Sequence, residues 1–199
     1  MKLFAVALLA LVPCLAAPDV DKGKALGSPN APITMEIFSD YTCPHCKMLH
    51  EVILPMFIRD FVRPQKLFIV MRDFPLTGPG HQFSREAATY ATAAARIGKF
   101  QEVSDTLFKN QANWAINGKV WDTVAAVLSP ADQKKVELLA KDPGVVSEVQ
   151  QELDEGMSSG VNQTPTMIVT AKGKRYPLSG VDPSNYQLFK KFLDDLLKQ

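Results

Sequence analysis

The sequence predicts an α/β domain that is interrupted by an all-helical block. Two apolar strand patterns flank a helix pattern near the start of the chain. A long series of helical patterns follows, and two strand patterns and a last helix close the chain. The order βαβ, helices, ββα is most simply one domain, residues 18–75 and 160–199, with an inserted helical subdomain at 76–159.

The first 17 residues have the pattern of a secretory signal peptide. Lys2 precedes an apolar run at 3–12, and small residues follow at 16–17. The run is too short to span a bilayer, which takes about 20 apolar residues, although an uncleaved anchor is the alternative. Lipid attachment at Cys14 is disfavoured because the residue before it is not small. We therefore expect an exported protein, periplasmic or otherwise extracytoplasmic, without a lipid anchor.

The mature chain is electrically neutral and has few cysteines. Of 22 basic residues one, Lys2, is lost with the signal, which leaves 21 against 21 acidic residues. This balance gives no electrostatic reason to bind nucleic acid or an anionic membrane. Cys43 and Cys46 are the two cysteines that remain, so the chain is not a cysteine-dense, disulfide-stapled scaffold.

The first βαβ unit follows from hydrophobic periodicity. Residues 18–30 are polar and rich in Gly and Pro, which predicts a flexible lead-in. Apolar residues in 31–40 mostly alternate, as in a strand, whereas those in 44–61 recur at helical spacing, with a kink expected at Pro55. The apolar run within 66–75 predicts a second, buried strand.

The later elements have recognisable ends. In the helical block, Ser84 is a predicted N-cap and Gly98 a predicted stop, and Ser129 is predicted to cap a helix. Two strands are expected around a turn at 171–174, and Asp182 is predicted to cap the last helix.

Other residues of the block and its surroundings are expected to be structural. Trp114 and Trp121 are predicted to pack within the helical block. His50 and His81 are interpreted as ordinary surface or helix-end residues.

The stretch "YTCPHC" carries the chemistry. Its position puts Cys43 between a strand and a helix, with Cys46 one turn along. A Cys43 thiolate would face the first backbone N–H groups of the helix and the positive end of its dipole, and His45 can add a cation or a donor. These effects predict a pKa in the range of roughly 3.5–7.5 for Cys43, with Cys46 as a shielded resolving thiol.

Two other interpretations of the cysteine pair are weaker. A zinc site needs four ligands, and two cysteines with the scattered His45, His50 and His81 do not provide them at usable spacing. A purely structural bridge would close so short a loop that it would restrain the unfolded chain little. We therefore expect no metal and no cofactor beyond the dithiol itself.

The chain resembles DsbA-like proteins over roughly residues 26–198. The resemblance rests on four segments, which are "GSPNAPITMEIFSDYTCPHC", "MRDFPL", "GKFQEVSDTLFKNQ" and "GVNQTPTMIV". DsbA-like proteins are exported thiol–disulfide oxidoreductases with a thioredoxin fold and a helical insertion. The resemblance implies that Cys43 attacks and Cys46 is its partner, with the Pro44–His45 dipeptide tuning them. It also implies that Pro165 is a cis-proline beside the dithiol and that Thr164 offers backbone groups to an extended substrate.

The sequence departs from these relatives in two places. Ile37 stands where they commonly carry a buried acid, and the neighbouring Glu36 should point to the opposite face of the strand. Proton transfer would then depend on Asp40 or water. Thr164 resembles the residue that precedes the cis-proline in disulfide isomerases and reductases, whereas the Pro–His dipeptide resembles that of strong oxidases. We give the dipeptide more weight in predicting the redox direction, because it acts directly on the thiolate.

The sequence thus predicts a monomeric oxidase that transfers a Cys43–Cys46 disulfide to unfolded exported proteins and is reoxidised by a membrane partner. Two alternatives remain. One is a disulfide reductase or isomerase on the same scaffold. The other is a non-catalytic, chaperone-like binding module that uses the apolar surface around Pro165.

Overall fold

The predicted strands meet in one mixed sheet of the computed structural model, which describes residues 22–180 and 185–198. The strand order is β1-β3-β2-β4-β5, with β2 and β3 parallel and the other pairs antiparallel. The strands are β1 (Ala25–Leu26), β2 (Ile33–Ser39), β3 (Leu67–Asp73), β4 (Thr166–Ala171) and β5 (Lys174–Ser179). This arrangement, with helices on the sheet, is the predicted thioredoxin-type α/β fold.

The central strands are buried because helices cover them. Ile33, Met35 and Ile37 of β2 are at most 1% exposed, and every residue of β3 is buried. Such continuous burial is typical of the parallel part of a sheet. The predicted turn between β4 and β5 is confirmed, and Lys172 and Gly173 both have positive φ, as a two-residue hairpin turn of type I′ requires.

The predicted helix after β2 is present but is not a regular α-helix. It contains α1 (Pro44–Met48) and α2 (Leu54–Phe57), which alternate with π-helical segments at Leu49–Ile53 and Ile58–Val62. Pro55 lies in the first turn of α2, directly after a π-helical segment. Proline lacks a backbone N–H, and the widened turn accommodates this within a continuous helical path.

Six helices lie between β3 and β4. They are α3 (Ser84–Ala95), α4 (Phe100–Lys109), α5 (Gln111–Asn117), α6 (Val120–Ala125), α7 (Pro130–Leu139) and α8 (Pro143–Ser158). The cap at Ser129 is confirmed, since its side chain accepts a hydrogen bond from the Asp132 N–H. The cap predicted at Ser84 is wrong, because Phe83 holds that position and Ser84 is already helical.

Both tryptophans pack inside the helical block, as predicted. Trp114 is fully buried and its Nε1–H donates to the carbonyl of Leu107. The ring of Trp121 lies 5.1 Å from that of Tyr90.

The expectation of a flexible lead-in is wrong for residues 22–30. Lys22–Lys24 forms a 3₁₀ turn and β1 pairs with β3. Lys24 is only 1% exposed, and its Nζ lies 2.8 Å from Asp73 and 2.7 Å from Glu152. A buried ammonium group needs opposite charges, and contacts with β3 and α8 supply them, so this segment is part of the fold.

The chain ends in α9 (Tyr186–Lys198), which buries Leu193 and Leu196. The predicted cap at Asp182 lies outside the described residues. Within 22–180 and 185–198, no helix combines the length and apolar character needed to cross a membrane.

Candidate active site

The two cysteines lie where the sheet passes into the first helix. Cys43 has extended backbone angles and is the N-cap of α1, and Cys46 lies within its first turn. The preceding turn is closed by a hydrogen bond from the Cys43 N–H to the Asp40 carbonyl. Both thiols are free and buried, whereas Pro44 and His45 are exposed. The structure thus places the two sulfurs at the predicted strand–helix junction.

The environment lowers the pKa of Cys43 to about 5. The largest cause is the hydrogen bond from the Cys46 thiol, which burial of Cys43 opposes. The Thr164 side chain and the backbone N–H groups of Cys46 and His45 lower the pKa further. The helix N-terminus therefore acts as predicted. The contribution of His45 comes from its main chain, whereas the sequence argument placed it on the imidazole.

Cys46 has the opposite character. Burial is the main cause that raises its pKa well above the ordinary value, and the nearby Cys43 raises it further. The Asp40 N–H lies 3.4 Å from the Cys46 sulfur and donates to it. One sulfur of the pair is thus favoured as a thiolate and the other as a thiol, which is the division that a nucleophile and a shielded partner require.

The Thr164–Pro165 peptide bond is cis, and it lies beside the cysteines. The Cys43 thiol lies 3.4 Å from the Thr164 carbonyl oxygen, although the two residues are 121 positions apart. The Thr164 hydroxyl oxygen is buried and has no hydrogen-bond partner in the described part of the chain. The fold therefore brings together the Cys43–Cys46 pair and the Thr164–Pro165 pair that the sequence argument named.

A buried carboxylate lies beneath this loop. Asp40 is fully buried and accepts hydrogen bonds from the Thr42 N–H and hydroxyl, from the Ser84 hydroxyl and from the Leu76 N–H. His81 Nδ1 lies 2.8 Å from the same carboxylate. The sequence predicts His81 to be an ordinary surface or helix-end residue. It does lie three positions before α3 and is partly exposed, but its contact with a buried carboxylate is not predicted. The local "SDYT" pattern indicates the bonds to Thr42, but no local signal indicates Ser84 or His81.

Glu36 and Ile37 lie as the strand pattern predicts. The Arg72 guanidinium donates two hydrogen bonds to the Glu36 carboxylate. Ile37 is fully buried in the core. The position at which relatives carry a buried acid is therefore apolar in this chain, and Asp40 is the carboxyl group that adjoins the cysteine loop.

The helical block also contacts the loop, through residues that sequence reasoning missed. Gln111 Nε2 donates to the carbonyl oxygens of Tyr41 and Cys43 at 2.7 and 3.0 Å. The Tyr41 hydroxyl lies 3.2 Å from that of Ser104, and its ring lies 4.8 Å from that of Phe108. Burial and the charge of Asp73 raise the pKa of Tyr41, so its hydroxyl stays protonated.

His50 is also a correction to the sequence interpretation. It is 7% exposed, its Nε2 lies 2.6 Å from Asp105, and its ring lies 4.6 Å from that of Phe108. It packs between the first helix and α4 instead of lying on the surface. The described residues contain no group of three or more His, Cys, Asp and Glu side chains that could hold a metal ion.

Comparisons with known proteins identify the family and the fold. A family model described as thioredoxin matches residues 19–195. The α-DsbA1 protein of Wolbachia pipientis has a similar structure, with a TM-score of 0.75 and 20% identity, covering 92% of this chain and 93% of that protein. At this identity the similarity concerns the fold.

Two curated relatives match most of this chain. Disulfide bond formation protein D of Bacillus subtilis is 24% identical over 78% of the chain and 71% of its own length. A Na⁺/H⁺ antiporter, NhaA 1, of Mycolicibacterium gilvum is 28% identical over 80% of the chain. The chain spans only 25% of the length of that antiporter.

Proposed function

The chain belongs to the thioredoxin family, and from this premise we propose that it is a DsbA-type thiol–disulfide oxidoreductase that introduces disulfides into exported proteins. The main support for this proposal is that the two cysteines differ in acidity: the pKa of Cys43 is lowered to about 5, whereas that of Cys46 is raised. A stabilised thiolate favours the reduced dithiol, and this makes the corresponding disulfide a stronger oxidant.

The proposed reaction begins with an oxidised Cys43–Cys46 bond. A substrate thiolate attacks the Cys43 sulfur, the Cys43–Cys46 bond breaks, and Cys46 leaves and takes up a proton. A second thiolate of the substrate then attacks the substrate sulfur of the mixed disulfide and releases Cys43 as a thiolate. Two electrons pass to the dithiol, and the substrate gains one disulfide. A membrane-bound oxidising partner would restore the Cys43–Cys46 bond.

Other parts of the chain have proposed roles in this reaction. Pro44 and His45 tune the thiolate, and the main chain at Thr164, beside the cis Pro165, would pair with an extended substrate segment as an added strand. We assign residues 18–75 and 160–199 to the thioredoxin-like unit and 76–159 to the inserted helical unit. Residues 1–17 would direct export, and the mature protein would act as a monomer.

The reduction potential tests the oxidising direction. We expect equilibration with glutathione to give a value nearer to that of strong oxidants, about −120 mV, than to that of thioredoxin, about −270 mV. The oxidised protein should also restore activity to a reduced, unfolded substrate, and the Cys43→Ser variant should not. A potential near that of thioredoxin would contradict the oxidase direction.

A reductase or isomerase is the second candidate, and Thr164 before the cis-proline favours it. Reactivation of a substrate with scrambled disulfides, compared with oxidation of a reduced one, separates the two activities. A chaperone-like module is distinguished by the Cys43→Ser variant, because holding unfolded chains would not need the thiol, whereas both enzyme functions would.

A further inference from the structure

Gln111 joins the helical block directly to the cysteine loop. It is the first residue of α5 and is 6% exposed. Its Nε2 donates one hydrogen to the Tyr41 carbonyl at 2.7 Å and one to the Cys43 carbonyl at 3.0 Å. The amide must present its NH₂ group here, because both facing atoms are acceptors.

The position of the Cys43 carbonyl group affects the geometry around the Cys43 thiol. It also accepts the Lys47 N–H at 3.1 Å, which is the first hydrogen bond of α1. The orientation of this peptide group determines where the first turn of the helix points. The backbone N–H groups of that turn, at His45 and Cys46, contribute to the lowered pKa of the Cys43 thiol, although neither makes a capping hydrogen bond to its sulfur. A donor that holds the Cys43 carbonyl therefore also fixes where these N–H groups lie relative to the sulfur.

Neighbouring contacts to the cysteine loop and α1 come from α4, the helix that precedes α5. Ser104 and Phe108 of α4 contact the hydroxyl and the ring of Tyr41. From the other side, the Lys47 ammonium donates to the carbonyl of Lys109, the last residue of α4. Among these residues of the helical block, Gln111 is the one that donates a hydrogen bond to the backbone of a cysteine.

We propose that Gln111 is a positioning residue through which the helical block controls the reactivity of the Cys43 thiol. It acts on the backbone that carries the thiol and does not itself contact the sulfur. The inference deepens the proposed oxidoreductase function and rests on it.

Replacement by methionine tests the proposal, because Gln111→Met retains length and packing volume but removes both donors. We expect the pKa of the Cys43 thiol, read from thiolate absorbance of the reduced protein, to rise by about one unit, which is a tenfold decrease in its acid dissociation constant. The disulfide should become less oxidising, and kcat for exchange with a peptide should fall more than KM changes.

Gln133 provides a matched control. Its Nε2 also donates to two main-chain carbonyls, those of Ala125 and Leu128, at 2.9 and 3.1 Å. Gln133 is only partly buried, so Gln133→Met should lower stability by less, and it should leave the thiolate titration unchanged. If Gln111→Met also lowers stability without shifting the pKa of Cys43, Gln111 is merely structural and the proposal is wrong.

The Gln111→Glu variant distinguishes a positioning role of Gln111 from an effect of charge on the thiolate. Burial beside two carbonyl oxygens favours the neutral carboxyl, which can donate to one of them, so the shift in this variant should be smaller than that of Gln111→Met. A shift in the Glu variant alone would mean a through-space charge effect and would overturn the positioning role. Thiolate absorbance can be measured without a substrate. The test of Gln111 therefore gives a result even if the wild-type protein fails every exchange assay and the proposed function is wrong.

Discussion

The Nδ1 atom of His81 lies 2.8 Å from a carboxylate oxygen of Asp40, although 41 positions separate the two residues. Asp40 is fully buried, whereas 25% of the His81 side chain is exposed. The pair thus connects the end of β2, beneath the cysteine loop, to the segment that leads into α3. Because the Asp40 backbone also donates to the Cys46 sulfur, the position of this carboxylate bears on the dithiol.

Replacement of Asp40 by asparagine should destabilise the protein strongly. The carboxylate accepts hydrogen bonds from Thr42, Leu76, Ser84 and His81, and an amide would turn its own donors toward some of them. We expect a loss of about 3 kcal/mol in the free energy of unfolding, measured with urea. His81→Ala removes one partly exposed group that water can replace, so it should cost about 1 kcal/mol or less. Equal losses would contradict a central role for Asp40.

Removal of the Cys46 thiol should raise the pKa of Cys43. The hydrogen bond from Cys46 is the largest cause that lowers this pKa to about 5. In Cys46→Ala the titration of thiolate absorbance should therefore move toward the ordinary value of about 8.5. A midpoint that stays near 5 would mean that the helix N-terminus alone stabilises the thiolate.

The reduced protein should lose stability as the pH falls. The pKa of Cys43 is depressed to about 5 in the folded state, against about 8.5 in an unfolded chain. Its contribution is therefore complete above about pH 8.5, shrinks as the pH falls, and vanishes below about pH 5. The difference in unfolding free energy between reduced wild type and Cys43→Ser, measured across this range, should follow that course. A difference independent of pH would contradict it.

Lys24→Met should cost about 3–5 kcal/mol, because it leaves the buried carboxylates of Asp73 and Glu152 without their shared countercharge. Urea unfolding of the reduced protein measures the loss. Lys99→Met is the control, since Lys99 pairs with Glu102 on the surface and should change stability little. Similar results for the two lysines would mean that the buried cluster is not important for folding.

Thr164→Val should leave the oxidised protein, which has no thiolate, as stable or slightly more stable, because the hydroxyl it removes is buried without a hydrogen-bond partner in the described structure. In the reduced protein the Thr164 side chain lowers the pKa of both cysteines without a hydrogen bond of normal geometry, so both values should rise. Thr166→Val is the contrasting variant. It removes a hydroxyl that donates to the Gln163 carbonyl and should cost about 1 kcal/mol without a shift in thiol pKa.

Local features of this fold could be predicted because they depend on neighbouring residues. The cap at Ser129, the turn at 171–174 and the position of Cys43 between a strand and a helix follow from backbone preferences within a few residues. The spacing of the two cysteines also indicated which would be the nucleophile and which the shielded partner.

Burial of polar residues could not be predicted in the same way. Lys24, His50 and Gln111 look like surface residues in the sequence, yet each is buried and has a partner at least 49 positions away. A buried polar group is stable only with such partners, and they come together only in the three-dimensional fold. The sequence therefore indicated the Cys43–Cys46 and Thr164–Pro165 pairs that lie together in the candidate site, but not the residues that contact them.

The contact between Cys43 and Thr164 has a consequence for biosynthesis. Thr164 follows Cys43 by 121 positions, so a ribosome has made most of the chain before the two can meet. Until then the Cys43 sulfur lacks the contribution of Thr164, whereas those of Cys46 and His45 come from residues within three positions and need only the local turn. The full lowering of the Cys43 pKa is thus reached only when the segment that carries Thr164 has been made and has folded against the first turn of α1.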